Sequence, residues 1–418
     1  VCGAGEDCIA GVCTACDSAT TDCDGDGWLV ADGDCCDKPG LCGSEPEKVN
    51  PGAIEVIGNG IDDNCNNKTD LFDTEDTVSC DTGIASNTSD PIEFAKAMGI
   101  CRTTTESPPL ADKTWGLISA EIVQANGEAL TYQNGKSVRG EFGDEIVPLE
   151  GQSLVVLSSG IAADANQTVP GPNGGPGINQ SENQGATANI STCSDPRCID
   201  DWFSAANPPL KDANALPVAP NCGSGTAGTP SNANDSVMLV LRMRAPTNAR
   251  AFSFNAYFFS VEYAEYVCSS FNDQFIALVD TPSGTPTPIA NPVDKNLMTY
   301  TNNNQKWPIG INIASGTPLF AVCQDQATSS CWDSDVSSES CSLGVAQLAG
   351  TGFEAPASSP NCTRGGGTFW LTTAGNVIPG EIVEIRIAIW DVGDHAFDST
   401  ALIDGFKWLP SATLPGTS

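Results

Sequence analysis

Apolar and polar residues alternate through residues 381–408, and the rest of the chain reads outward from that stretch. Ile385, Ile387 and Ile389 are interrupted by Glu384 and Arg386, the period-two signature of a strand with one buried face. Ala401, Leu402, Ile403, Phe406 and Trp408 form a second strand after a short acidic connection. The same pattern predicts strands over residues 115–123, 130–133, 152–159, 236–243, 249–260, 275–279 and 368–373. Within 249–260, Phe252, Phe254, Ala256 and Phe258 share one face. A single helix is predicted over 90–101, with Asp90 as cap, Pro91 in its first turn and Gly99 at its end. Its Ile92, Phe94 and Ala95 should face the sheet. Residues 161–235 and 324–367 are Gly-, Asn- and Ser-rich, long for loops of a compact domain. The fold class is therefore mainly β: an antiparallel, jelly-roll-like β-sandwich over residues 81–410 with two loop insertions, then a tail at 411–418.

Residues 1–80 follow a different logic. They hold ten cysteines, 18 acids and three bases (Lys38, Lys48, Lys68), and too few apolar residues for an ordinary core. Such a module is held by disulfides and bound metal, with little regular structure. Asp22, Asp24 and Asp26 stand at alternate positions before Gly27 and Trp28, the first half of a calcium loop whose side chains converge while glycine makes the turn. The twelfth position is Gly33 rather than Glu, so Asp32, Asp34 or Asp37 has to close the shell. A second group follows in Asp62, Asp63, Asn64, Asn66 and Asp70.

Composition sharpens this picture. The 418 residues carry 52 acids against 18 bases, a net charge of -34. That field disfavours nucleic acid and anionic membrane and attracts divalent cations. No apolar run is long enough to span a bilayer. Nineteen cysteines with one histidine, His395, argue for disulfides outside the cell rather than thiol–imidazole zinc sites. The candidates are Cys2, Cys8, Cys13, Cys16, Cys23, Cys35, Cys36, Cys42, Cys65 and Cys80, then Cys101, Cys193, Cys198, Cys222, Cys268, Cys323, Cys331, Cys341 and Cys362. Their number is odd, leaving one free, paired with another chain, or parted from a partner. The start at Val1 reads as a processed, exported product.

Two resemblances add to this reading. GDCCD (33–37), VNPGAIE (49–55) and NGIDDNCNNKTD (59–70) resemble the Cys- and Asp-rich metal-binding motif of bacterial cell-surface proteins, with Cys36 as a departure from its pattern. One member binds copper; with one His and four Met here, oxygen ligands and Ca2+ fit better. SVEYAEYVCSSFNDQFIALV, GGGTFWLTT, the stretch from Val377 to Ser399 and ALIDGFKW resemble the choice-of-anchor L domain. That resemblance implies export and surface display, with no established reaction. LPGTS (414–418) is similar to a sortase signal but lacks its final Gly and hydrophobic tail, and reads as a mere end.

Both motif halves are acid-rich. Glu262, Glu265 and Asp273 are expected to meet Asp391, Asp394 and Asp398 at one end of the sandwich, around one or two Ca2+ ions. No nucleophile constellation is evident; His395 is oriented at best by Asp394, so no enzyme is expected. The expected function is a secreted, calcium-stabilised structural protein polymerising with copies of itself. The alternative is a monomeric adhesin binding glycan or protein through its loops, with a copper-binding protein or hydrolase behind. Asn67, Asn87, Asn166, Asn179, Asn189, Asn234 and Asn361 begin N-x-Ser/Thr triplets, where sugars are possible but not implied.

Overall fold

The structure is a computed structural model that describes residues 6–9, 12–15, 17, 20–38, 40–70, 79–162, 183–199, 222, 232–264, 266–302, 305–324, 341–354 and 365–418. A hairpin of β1 (Glu6–Ile9) and β2 (Val12–Ala15) opens it. Then come α1 (Pro91–Ala97), β3 (Gly116–Val123), β4 (Lys136–Arg139), β5 (Leu154–Ser158) and β6 (Thr187–Asn189). The long strands β7 (Asn232–Arg244), β8 (Ala251–Ser260) and β9 (Gln274–Asp280) follow, then a small hairpin of β10 (Thr299–Asn302) and β11 (Gln305–Gly310). The last are β12 (Gly366–Gly367), β13 (Leu371–Asn376), β14 (Ile382–Asp391), β15 (Ser399–Leu409) and β16 (Gly416–Thr417).

The expected antiparallel sandwich is present, and its two layers are halves of one curled sheet. One layer runs β3-β7-β14-β9-β11; the other runs β10-β16-β13-β8-β15-β5-β4. β11 carries the sheet round the bend. Its Ile309 and Gly310 pair with β9, while its preceding residues pair with β10. Gly416–Thr417, expected within a tail, lies between β10 and β13.

The main core fills the space between the layers. Leu239, Leu241, Ile385 and Ile387 face Phe252, Phe254, Phe258 and Ile403, and the Phe258 and Phe275 rings stack across it with centroids 6.1 Å apart. Two further cores cover the outer faces. Ile190 and Ile199 lie over Met238, Val240, Ile276 and Trp390; Phe142, Leu348 and Phe353 lie over Tyr257, Phe259 and Leu402. Central strands are thus buried on both sides, which is why β7 reads VMLVL without alternation. Arg386, expected on a half-solvated face, is instead buried under the 193–198 loop, its guanidinium donating to the Arg197 and Cys198 carbonyls.

Helix α1 forms with Asp90 accepting from the Ile92 amide, and Phe94 and Ala95 are buried as expected. Ile92 is exposed, because it lies on the outer flank of a helix too short for all three to face inward. Residues 130–133 form no strand; only Ala129 bridges to Val123, and the Tyr132 hydroxyl turns inward to the Asp235 carbonyl. Both sheet margins are occupied: Leu117 of β3 exchanges backbone bonds with Arg102 and Thr104, and Val138 of β4 donates to Ser86.

The N-terminal module docks on the sandwich of its own chain. The Thr247 amide donates to Gly52 and its hydroxyl to Asn50; Asn248 pairs both ways with Ile54; the Trp115 indole donates to Ala53. Gly52 permits this approach, since a Cβ there would lie 3.0 Å from Thr247 Cγ2 and 3.3 Å from Trp28 Cζ2. Disulfides join Cys35 to Cys65, Cys36 to Cys42, Cys80 to Cys101, Cys193 to Cys198, Cys222 to Cys268 and Cys323 to Cys341. Cys23 is also disulfide-bonded. Cys2, Cys16, Cys331 and Cys362 lie outside the described residues, as do the side chains of Cys8 and Cys13.

Candidate metal centres

The loop at residues 22–28 is a turn built from its own carboxylates. Asp22 accepts from the Gly25 and Gly27 amides, Asp24 from Asp26, and Asp26 from Trp28. Gly27 turns the chain at φ +93°, a conformation other residues rarely adopt. Asp34 and Asp37 complete the group from the next segment, held by the Cys36 and Cys23 amides. Asp32 is half-buried and is not among the converging carboxylates.

Oxygens of Asp22, Asp24 and Asp37, and again of Asp24, Asp26 and Asp34, lie within 4.8 Å of one another. The arrangement has a consistent polarity. Asp24, Asp34 and Asp37 each give one oxygen to a backbone amide, and the other is buried without a hydrogen-bond partner. Asp34 and Asp37 are 3% and 1% exposed, shut off from bulk water. Burial pushes the Asp24 carboxyl up to about 6 and the Asp26 carboxyl up to about 7; it raises Asp34 too, with neighbouring carboxylates adding to each. An all-oxygen donor set of this density fits a hard divalent cation such as Ca2+. No His or Met is in the group, so copper has none of its preferred ligands there. Trp28 contributes a buried ring that packs beside Gly52.

The second N-terminal group repeats this hydrogen-bond pattern with asparagines at two of its positions. Asp62 accepts from the Asn66 and Asn67 amides, Asp70 from Gly58 and Gly60, and Asn64 and Asn66 from residues two further on. Among the described residues no three acidic side chains converge there. These oxygens hold turns, the ordinary work of Asx residues.

At the sandwich end, the structure brings Glu262, Asp273, Asp391, Asp394 and Asp398 into one neighbourhood; Glu265 lies outside the described residues. Glu262 follows β8, Asp273 precedes β9, Asp391 ends β14 and Asp398 precedes β15. Asp273 accepts from the Val392 amide at 3.0 Å and the Ser399 hydroxyl at 2.6 Å. Neither Asp391 oxygen has a hydrogen bond of sound geometry, though Ser159 and Asp273 lie close by, and Glu262 Oε2 has no partner. Glu262, Asp273, Asp391 and Asp398 are all 1% exposed or less. Burial first, and mutual repulsion second, raises the carboxyls of Glu262 and Asp391; burial also raises Asp273. No three of these carboxylates approach within 4.8 Å, so the end is looser than the N-terminal loop. Asp394 is set apart, using its side chain on the Ala396 amide and its carbonyl on Asn234.

Sequence reasoning missed Asp235. It is buried, accepts from the Gln184 and Ala186 amides, and holds His395 Nδ1 at 2.9 Å, the role expected of Asp394. The signal was faint: Asn234-Asp235-Ser236 reads as a glycosylation triplet, yet Asn234 is buried. His395 Nε2 lies 3.3 Å from the Thr187 hydroxyl, which itself faces Asn234 at 3.2 Å.

Residues 224–406 match the model of the Choice-of-anchor L domain. No curated protein and no solved structure matches the chain. Among the described residues no helix is long and apolar enough to cross a membrane.

Proposed function

We propose, from the Choice-of-anchor L domain that this chain carries across residues 224–406, that it is a calcium-stabilised structural subunit of the bacterial cell surface. Surface or extracellular placement follows from the domain and the disulfides. The cation requirement rests on one observation: buried Asp34 and Asp37, each grouped with Asp24, keep one oxygen without a hydrogen-bond partner. Such carboxylates are tolerable when a divalent ion replaces their lost hydration. The donor set supports Ca2+ over copper.

The sandwich end supplies a second, looser place for an ion between Glu262, Asp273 and Asp391. Assembly into a fibre or layer is the use this reading favours: disulfides and ions replace cellular protection for a subunit displayed outside the cell. Elemental analysis of purified protein, with a melting curve before and after chelation, tests the cation. Electron microscopy in calcium tests assembly: long polymers support it, and a uniform 43.3 kDa species leaves the adhesin alternative. Protein that keeps its melting temperature after complete ion removal would falsify the calcium reading.

A further inference from the structure

The junction of the N-terminal module and the sandwich holds a half-open cavity of about 340 Å³. Its lining includes Lys48, Lys113, Arg244 and Arg250, four of the 18 bases in a chain with 52 acids. With acids in such excess, a cation is expected to find a carboxylate. Lys48 does so with Glu45 at 2.5 Å. Lys113, Arg244 and Arg250 have no carboxylate within ion-pair distance among the described residues.

Arg244 is the most telling. It is 6% exposed, and its Nη atoms donate to the backbone carbonyls of Gly380, Thr105 and Glu106, all neutral. Its Nε is buried without a hydrogen-bond partner. The Glu106 carboxylate is taken up by Arg242 in a two-point contact at 3.0 and 2.6 Å. Glu106 is the nearest counter-charge and Arg242 shares it; a buried guanidinium with no carboxylate of its own is costly, and its planar fork suits an oxyanion. Arg250 makes one long bond to the Thr287 carbonyl at 3.5 Å.

Asp26, Glu47 and Glu381 also border the cavity. Asp26 is committed to the Trp28 amide and Asn50, and Glu381 to the Ser283 hydroxyl. Among the described residues none of the three forms an ion pair with Lys113, Arg244 or Arg250.

We infer that this junction cavity is a binding site for an oxyanion, a carboxylate or sulfate group, held by Arg244, Lys113 and Arg250. The group comes either from a small acid such as a uronate sugar or from an acidic side chain of a second copy. The inference needs no metal in the neighbouring loop and stands apart from the calcium reading.

The probes are sodium glucuronate and sodium sulfate, titrated calorimetrically into the full chain in calcium. Expected is saturable binding of each, one displacing the other. Lys113→Glu with Arg250→Glu should weaken it at least tenfold, while Lys306→Glu, on β11 away from the cavity, leaves it unchanged. Lys113→Gln with Arg250→Gln gives a milder version, and melting curves confirm that both double variants fold. Sedimentation separates the two sources. Self-association that glucuronate dissolves and the double variants lose identifies a second copy; a monomer throughout identifies a free acid. No saturable binding of either probe, or equal binding by folded double variants, overturns the inference.

Discussion

Gly160 has no side chain because Asp398 occupies that space. A Cβ built there would fall 1.8 Å from Asp398 Oδ2 and 2.2 Å from its Cγ. Gly160→Ala should therefore displace the Asp398 carboxylate and destabilise the protein by about 1–3 kcal/mol, read as a lower urea midpoint. Asp404 gives a pH prediction independent of any ion. It accepts from the Leu149, Glu150 and Gly405 amides, yet burial pushes it up to about 6 from 3.8. The folded form then binds its proton more tightly than the unfolded chain. Its contribution is fully present below about pH 3.8 and is lost as pH rises through 6. At most about 3 kcal/mol is involved, at 1.36 kcal/mol per unit. In saturating calcium, Asp404→Asn should lose less stability than wild type between these limits; equal loss would exclude the assignment. At this scale the sequence was legible where residues came in patterns. Asp24, Asp26 and Asp34 could be found by spacing, whereas Asp235, near the start of β7, could be found only once His395 was placed against it.

The strands show the same division between pattern and context. β7, β8, β9, β14 and β15 were legible as apolar runs, and α1 by its cap and proline. β10 and β11 were not, because TYTN is polar and QKWPIG is interrupted by a proline, and both join the sheet at its bend by register rather than by an apolar run. The long insertions looked like surface loops. Ile190, Ile199, Leu348 and Phe353 show that parts of them roof the outer faces, which no local period reveals. Ile387 is buried between its neighbours on β7 and β9, so Ile387→Ala should cost about 2–5 kcal/mol. Replacing both Cys80 and Cys101 by Ser opens a link spanning 21 residues around α1. By loop-closure entropy that should cost about 3 kcal/mol in denaturant unfolding, with the m-value changed little.

At the level of the molecule, module and sandwich meet through a short ladder rather than a broad apolar interface. Removing one rung should free the module without unfolding the sheet. Asn248→Ala severs both bonds to Ile54, and limited proteolysis should then release an N-terminal fragment while the remaining β-sheet keeps its circular dichroism. Chelation should do the same more slowly if the ion loop stiffens that ladder, since Asn50 donates to Asp26 and accepts from Thr247.

The occupied margins of the curled sheet bear on how copies can join. With Arg102 and Thr104 stitched to Leu117, and Ser86 receiving Val138, each rim is partly covered by the chain's own backbone, which hinders an incoming strand. A polymer of this protein would grow by bolting finished blocks together through side chains rather than by knitting one block's ribbon into the next. It should come apart under mild salt or acid, with every block still folded.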